Sequence, residues 1–300
     1  MNVVVIGLGK MGLNLVKNFN DKGISIIGHD VHKEIGDAYQ HHLFTFSETF
    51  PNFSKDTENI VLLLLPSGTI TNQVIDSLKN QLHSGDRVID FSNSQYQVSI
   101  DNHKKLTDKG IKYHDCGLSG GWKGAREGAC MMLGNSTEED YEVHQLLQRV
   151  CRPNGFQYYD KPGSGHYLKM VHNGIEYAMM QAIAEGLQLL ALQKHYEFDL
   201  YQVTENWSDG SIITSSLLEY VKEELKDSPN LSQFSEQVFA SGEAKWMVEE
   251  SLNSGIPIPT IAQSLMIRNA SQLENQYANR VLSAMRFNFG GHNEIANTHR

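Results

Sequence analysis

The N-terminal stretch MNVVVIGLGKMGLNLVKNF constrains this chain more than any other segment. A continuous apolar strand, Val3 to Ile6, runs into Gly7-Leu8-Gly9-Lys10-Met11-Gly12 and then into a helical run. In a strand–turn–helix unit of this spacing, the first glycine permits the tight turn. The second lets the backbone approach a pyrophosphate, and the third allows close packing of helix on strand. The pyrophosphate then faces the helix N-terminus, where unpaired N–H groups and the dipole favour an anion. A second strand, Ile24 to Gly28, ends in His29-Asp30, about 20 residues beyond the glycines, where an acid binds the adenosine ribose diol. A carboxylate there accepts from a 2′-hydroxyl and repels a 2′-phosphate. No arginine follows in Val31-His32-Lys33-Glu34, although Lys33 offers a charge, so the pattern favours NAD over NADP. The alternative is a glycine turn with no ligand, and Asp30 at this spacing argues against it.

Further apolar runs alternate with helix-length segments. Asn59 to Leu65 is bounded by Pro66-Ser67-Gly68, Arg87 to Phe91 by Ser92-Asn93-Ser94, and Ile111 to Cys116 by Gly117-Leu118-Ser119-Gly120-Gly121; Ala129 to Leu133 follows. This alternation predicts an α/β Rossmann-type, doubly wound, mostly parallel sheet. After about Gly165 only helical periodicity remains. We read residues 1–165 as a dinucleotide-binding domain and 166–300 as an all-helical substrate and dimerisation domain, with the boundary near Pro162-Gly163-Ser164-Gly165. Ligands in such sheets bind beyond the carboxyl ends of the strands. Leu65, Pro66, Ser67, Asn93 and Ser119-Gly120-Gly121 all fall at such ends.

The chain has 300 residues, 40% hydrophobic and 20% charged, an ordinary globular composition. A net charge of −10 with no basic stripe speaks against nucleic-acid binding, but not against small anionic substrates. Cys116, Cys130 and Cys151 lack metal-ligand spacing and read as free thiols of a reducing compartment. The 13 histidines form no HExxH pattern, and His41-His42 reads as a surface pair, so no metal is expected. The chain opens directly on a strand, and no apolar run approaches the ~18 residues of a membrane span. The expectation is a cytoplasmic protein.

The run GSGHYLKMVHNGIEYAMMQAIAEGLQLL carries Lys169, His172, Asn173 and Glu176 at i, i+3, i+4 and i+7, one stripe of a helix. The rest is apolar, which predicts a largely buried helix; a base and an acid inside it need a partner or a task. The same four residues would also suit a solvated polar face. Lys245, Arg268 and Arg286 can likewise be surface cations, although Ile261 to Ile267 reads as a buried helix that brings Arg268 to an anion.

GLSGG (117–121), KMVHNGIEY (169–177), WSDGSIITSSLL (207–218) and RFNFGGH (286–292) together resemble the 6-phosphogluconate dehydrogenase family over nearly the whole chain. At this length the chain is similar to the short, NAD-using form. The resemblance implies that Lys169 takes the proton from the C3 hydroxyl as hydride leaves for the nicotinamide, then polarises the carbonyl during decarboxylation. It implies that Glu176 protonates C1 of the resulting enediol. Asn93, Ser119, Gly120, Gly121, His172 and Asn173 match residues that hold the sugar acid or nicotinamide. Tyr177, Lys245, Arg268 and Arg286 match phosphate contacts, and Arg286 with His292 would reach the partner's site in a homodimer. Gly7 to Gly12, Asp30, Leu65, Pro66, Ser67 and Asn93 would hold the cofactor. A lysine serves as a base near neutral pH when its surroundings favour the uncharged form, as an apolar helix face does.

Three departures from the family pattern stand out. Phe91 and Ser92 replace two glycines and are expected to crowd the loop before Asn93. Met247 replaces a threonine, removing one hydroxyl from the phosphate pocket. Trp122 falls beside the substrate loop and reads as packing at the domain junction, with stacking on the substrate as the alternative. Two other readings are compatible with the sequence: a related β-hydroxyacid dehydrogenase for a smaller or unphosphorylated 3-hydroxy acid, and a catalytically dead nucleotide-binding regulator. Glu176 and the trio of cations argue against the first, and the intact Lys169–Glu176 pair against the second.

Overall fold

The computed structural model describes residues 1–274 and 277–290. The chain divides into two units, Met1–Gly174 and Ile175–Arg300. The first begins β1 (Asn2–Ile6), α1 (Lys10–Asp21), β2 (Ile26–His29), α2 (Glu34–Ala38), β3 (Phe44–Phe46), β4 (Asn59–Leu63) and α3 (Thr69–Gln81). It continues with β5 (Arg87–Asp90), α4 (Tyr96–Thr107), β6 (Lys112–Ser119), α5 (Gly121–Glu127), β7 (Ala129–Leu133), α6 (Tyr141–Gln148) and β8 (Cys151–Tyr158). The long helix α7 (Ser164–Leu192) begins in this unit and ends in the other. The second unit adds α8 (Leu200–Ser208), α9 (Ser216–Asp227), α10 (Glu243–Ser254), α11 (Pro259–Ala270) and α12 (Tyr277–Gly290). Its described residues contain no strand.

The sheet order is β3-β2-β1-β4-β5-β6-β7-β8, with every pair parallel except β6–β7. The expected doubly wound, mostly parallel sheet is therefore present. Each central strand feeds two cores. In β1, Val3 and Val5 join one cluster with Leu15, Phe19 and Leu62. Val4 and Ile6 join the other with Val61, Leu63, Ile75 and Leu78. A strand covered on both faces has no polar alternation, which is why these runs are continuously apolar. The strand order reverses between β1 and β4, and that is where a parallel sheet opens a crevice at its carboxyl edge.

Three sequence expectations need correction here. β3 and β8 escape the sequence reading: β3 has three residues, and β8 is an edge with no fully buried residue, carrying Pro153 and a register shift. The second strand begins at Ile26, not Ile24. Helix α7 is not largely buried throughout. Met170 and Leu187 are buried, but Ile175, Met179, Leu189 and Leu192 are exposed. Apolar periodicity reports what a face is made of; it does not supply the layer that covers it.

Candidate active site

The first assembly of candidate residues is the turn between β1 and α1. Gly7 has φ +97°, and a Cβ there would lie 2.4 Å from the Leu64 carbonyl oxygen. At Gly12 a Cβ would lie 1.9 Å from the Gly7 carbonyl oxygen, so this glycine lets α1 start directly against the turn. Gly9 has neither constraint: nothing lies within 4 Å of a Cβ there. It is the N-cap of α1 with no side-chain cap, and the first turn holds no acidic residue. The orphan N–H groups of that turn therefore remain available to an anion.

A cleft of about 620 Å³ opens over this turn. Gly7, Gly9, Lys10, Met11, Gly12, Asp30, Leu65 and Pro66 line it, with Phe50, Ile70 and Val74 as apolar wall. Leu8 is set apart from the cleft lining: its side chain is buried in the core and its N–H donates to Asp30 Oδ2 at 2.7 Å. Asp30 Oδ1 accepts from the His32 N–H at 2.9 Å. Both carboxylate oxygens are thus anchored by backbone, and each retains acceptor capacity for a further donor. Lys33 lies 3.5 Å from Glu48. The residues present fit a dinucleotide: a glycine face open to close approach, an uncapped helix start, and a fixed carboxylate at the end of β2.

The second assembly is the contact between β6 and the start of α7. In a strand, residues two apart share a face, and the face formed by 115, 117 and 119 meets the helix. Asp115, fully buried, accepts from the Gly163 N–H and the His166 N–H, both at 2.8 Å, and so closes the helix N-terminus. A Cβ on Gly117 would lie 2.7 Å from Lys169 Cβ, so only glycine lets α7 seat here. Ser119 Oγ lies 2.9 Å from His172 Nε2, and His172 Nδ1 lies 3.1 Å from Asn173 Oδ1. A Cβ on Gly165 would lie 2.4 Å from the carbonyl oxygens of Asp115 and Met132. Ser99 Oγ meets His166 Nδ1 at 2.7 Å. Lys169 and Asn173 are each 8% exposed, buried yet reachable at one edge. Ser119, Gly120 (φ +113°) and Gly121 (φ +59°) then turn the chain into α5. The same helix carries Glu176 one turn after His172.

Asn93 is exposed after β5. The crowding expected from Phe91 and Ser92 does not occur. Phe91 belongs to the core, and Ser92 is buried with its N–H on Asp90 Oδ1 and its hydroxyl 2.7 Å from that of Ser94. Asp90 also accepts from the buried Tyr113 hydroxyl at 2.8 Å. Burial first, then the charges of Asp90 and Asp115, hold that phenol protonated well above its ordinary range. Ser67 is exposed on the turn after Pro66. Trp122, expected to be packed, is 52% exposed, with the Lys123 ammonium 5.9 Å from its ring.

In the second unit, the Arg268 guanidinium stacks 3.6 Å from the centroid of the Tyr177 ring. The Tyr177 oxygen accepts from the Ser241 N–H at 3.1 Å. Of Ile261 to Ile267, only Ser264 and Leu265 are buried, so the stacking, not a buried helix, orients Arg268. Lys245 is exposed and lies 3.7 Å from Glu249. Met247 is buried under α10. Arg286 is exposed on α12, and His292 lies outside the described residues. The described residues hold no cluster of histidine, cysteine and carboxylates fit for a metal, and no helix among them is long and apolar enough to cross a membrane. Asp115, Gly117, Ser241 and Glu243 were not identified from the sequence. The one available signal was a polar residue interrupting the apolar run IKYHDC.

Residues 2–159 match the NAD binding domain of 6-phosphogluconate dehydrogenase, and residues 165–296 match that enzyme's C-terminal domain. The chain is 36% identical to YqeC of Bacillus subtilis, provisionally named a 6-phosphogluconate dehydrogenase, over 97% of this chain and 98% of that protein. It is 33% identical to the NAD(+)-dependent, decarboxylating 6-phosphogluconate dehydrogenase of Haloferax volcanii, over 99% of each. Among solved structures, a Plasmodium falciparum 6-phosphogluconate dehydrogenase superposes with TM-score 0.80 at 28% identity, over 100% of this chain and 67% of its own.

Proposed function

Because this chain belongs to the 6-phosphogluconate dehydrogenase family, we propose that it converts 6-phospho-D-gluconate to D-ribulose 5-phosphate and carbon dioxide, with NAD as oxidant. The cofactor, when bound, supplies the nicotinamide that accepts hydride from C3. Lys169 takes the proton of the C3 hydroxyl. In its protonated form it then stabilises negative charge developing on the C3 oxygen as the carboxylate departs. Glu176 donates a proton to C1 of the enediol. His172, held by Ser119, and Asn173 orient the sugar acid, together with Asn93, Gly120 and Gly121. Tyr177 and Arg268 take the phosphate, joined by Arg286 and His292 from the partner of a homodimer. Lys245, turned to Glu249, has the weakest support among the phosphate contacts. The observation that carries this reading is the seating of Lys169 and His172 on the 115–117–119 face of β6.

The preference for NAD rests on Asp30. Its carboxylate is fixed by two backbone N–H groups where it would repel a 2′-phosphate, and Lys33 lies beside Glu48. The exposed apolar side chains of α7, with Val281, Leu282 and Met285 on α12, support a dimer. Three unpaired cysteines suit a cytoplasmic enzyme of gluconate use and the oxidative pentose phosphate pathway. Steady-state reduction of NAD and of NADP with 6-phosphogluconate, for wild type and Lys169→Met, tests the assignment. The expected result is turnover with NAD that falls by about 10³-fold or more in the variant. Turnover confined to unphosphorylated hydroxy acids would withdraw it. Specific activity that survives dilution to the monomer would remove the shared site.

A further inference from the structure

Glu243 is 2% exposed, yet its Oε1 has no hydrogen-bond partner among the described residues. Buried carboxylates are ordinarily fully satisfied, and a half-satisfied one calls for a reason. Its other oxygen supplies one: Oε2 accepts from the Ser241 hydroxyl at 2.5 Å. Glu243 is also the first residue of α10, where the helix dipole stabilises its charge.

The donors and acceptors follow a fixed direction. Ser241 commits its hydroxyl proton to Glu243, and its N–H donates to the Tyr177 oxygen at 3.1 Å. The Tyr177 proton is then left with the Ser241 Oγ at 3.4 Å, at the long limit for an O–H donor. An anionic oxygen outcompetes so long a contact. Arg268, stacked on the same ring, packs the phenol from one face, and one of its N–H groups lies 3.8 Å from Met180 Sδ.

We propose that Glu243 and Ser241 are positioning residues of the phosphate subsite: Glu243 holds the Ser241 hydroxyl as a donor, and Ser241 in turn presents Tyr177 as the donor to the substrate's phosphate. This rests on the phosphogluconate reading above. It makes Glu243, Ser241, Tyr177 and Arg268 one relay within the subsite.

The experiment is a double-mutant cycle on KM and kcat at saturating NAD, with 6-phosphogluconate and with unphosphorylated gluconate. Glu243→Ala is expected to raise KM for 6-phosphogluconate about tenfold while kcat and KM for NAD stay within about twofold. Glu243→Gln, which keeps an acceptor for the Ser241 hydroxyl, is expected to recover most of that loss. Tyr177→Phe combined with Glu243→Ala is expected to be no worse than Tyr177→Phe alone, because both act through one proton. With gluconate the variants and wild type should not differ. Multiplying penalties in the double variant, or equal losses with both substrates, would overturn the relay and mark Glu243 as structural. If Glu243→Ala fails to fold, Ser241→Ala decides, since it keeps the N–H to Tyr177 and removes only the hydroxyl. An unchanged KM in that variant overturns the proposal. Wild type inactive on 6-phosphogluconate overturns both this and the reading on which it rests, whereas an active wild type with additive variants overturns this alone.

Discussion

Two helices in the first unit begin against the sheet, and their N-termini are finished in opposite ways. The start of α1 has no side-chain cap and no acidic residue in its first turn. The start of α7 is closed by the buried Asp115 carboxylate, which accepts from the N–H groups of Gly163 and His166. Both present the same orphan donors and the same positive end of a dipole. At α1, where the glycine turn and the cleft of Asp30 lie over it, we read the open charge as a place for a ligand's anion. Where the protein supplies its own anion, it has fixed a helix, and with it Lys169 and His172. On that reading the start of α1 is a site and the start of α7 a mount, and substitutions at the two should fail in different measurements.

The largest effect is expected at Gly12. A Cβ 1.9 Å from the Gly7 carbonyl oxygen cannot be accommodated unless α1 or the turn moves. Overpacking of this kind costs about 1–3 kcal/mol, and the displaced turn also loses its approach to the pyrophosphate. Gly12→Ala should raise KM for NAD by about 100-fold or more and lower the melting temperature. A variant with wild-type KM for NAD would break the assignment of the open terminus as the cofactor site. Next comes Asp115→Ala, which strips two buried N–H groups of their acceptor, at about 1–3 kcal/mol each. Here kcat and thermal stability should fall together, while KM for NAD changes little. A stable Asp115→Ala enzyme with full kcat would show that α7 is held by something else.

This contrast also explains what the sequence could reveal. The turn of Gly7 to Gly12 and Asp30 was legible because its parts are contiguous or follow a fixed spacing, and Gly7 and Gly12 each answer to a local constraint. The stripe of Lys169, His172, Asn173 and Glu176 was legible from a period of 3.6. Asp115 and Gly117 were not, because their relation to α7 exists only after β6 and the helix are packed together, where a period of two meets a period of 3.6. Ser241 and Glu243 lie more than 60 residues from Tyr177, and a glutamate in a first helical turn looks like an ordinary surface residue. Phe91 and Ser92 were misjudged for a related reason. Replacing glycine suggests crowding, but the strand end turns both side chains inward and leaves Asn93 outside. The burial of α7 was overestimated because composition cannot say whether a covering layer belongs to the same chain.

Strand β6 has a second buried group on its opposite face, and it makes the protein sensitive to acid. His114 is fully buried, and burial pushes its pKa down to about 4, despite the opposing pull of Asp140, whose carboxylate is 4.0 Å away. The charges of Lys112 and Asp115 also act on it, the first depressing and the second raising its affinity for a proton. Burial pushes the Asp140 carboxyl up, but bonds from Lys112 and the Thr137 N–H, with His114 nearby, leave it below its ordinary value. For the imidazole, the unfolded chain binds the proton first as pH falls. Stability is therefore full above the ordinary value of 6.5 and is lost as pH drops from there to about 4. At roughly 1.4 kcal/mol per pH unit, the loss approaches about 3 kcal/mol. Asp140 acts in the same direction at lower pH. Urea unfolding at pH 7.5 and pH 4.5 should show this loss in wild type and much less of it in His114→Asn. Equal losses in both proteins would transfer the effect to Asp140.

The smallest expected effect is the sharpest test, because it separates folding from binding at a single methyl group. Gly9 has φ −62° and ψ −168°, a conformation open to any residue, and nothing lies within 4 Å of a Cβ built there. Gly9→Ala should fold with almost unchanged stability, since an alanine N-cap costs at most about 1 kcal/mol relative to glycine. The added methyl would instead stand on the face over which the backbone approaches the pyrophosphate, and loss of that approach should raise KM for NAD about tenfold, or about 1.4 kcal/mol. Gly12→Ala disturbs the turn and the ligand together, whereas Gly9→Ala leaves the turn intact. If Gly9→Ala binds NAD as wild type does, the open terminus of α1 is open to solvent and not to the cofactor, and the distinction between the two helix starts loses its functional half. If affinity falls while the melting temperature holds, the glycine is there for the ligand alone, and the open terminus is a binding site in its own right.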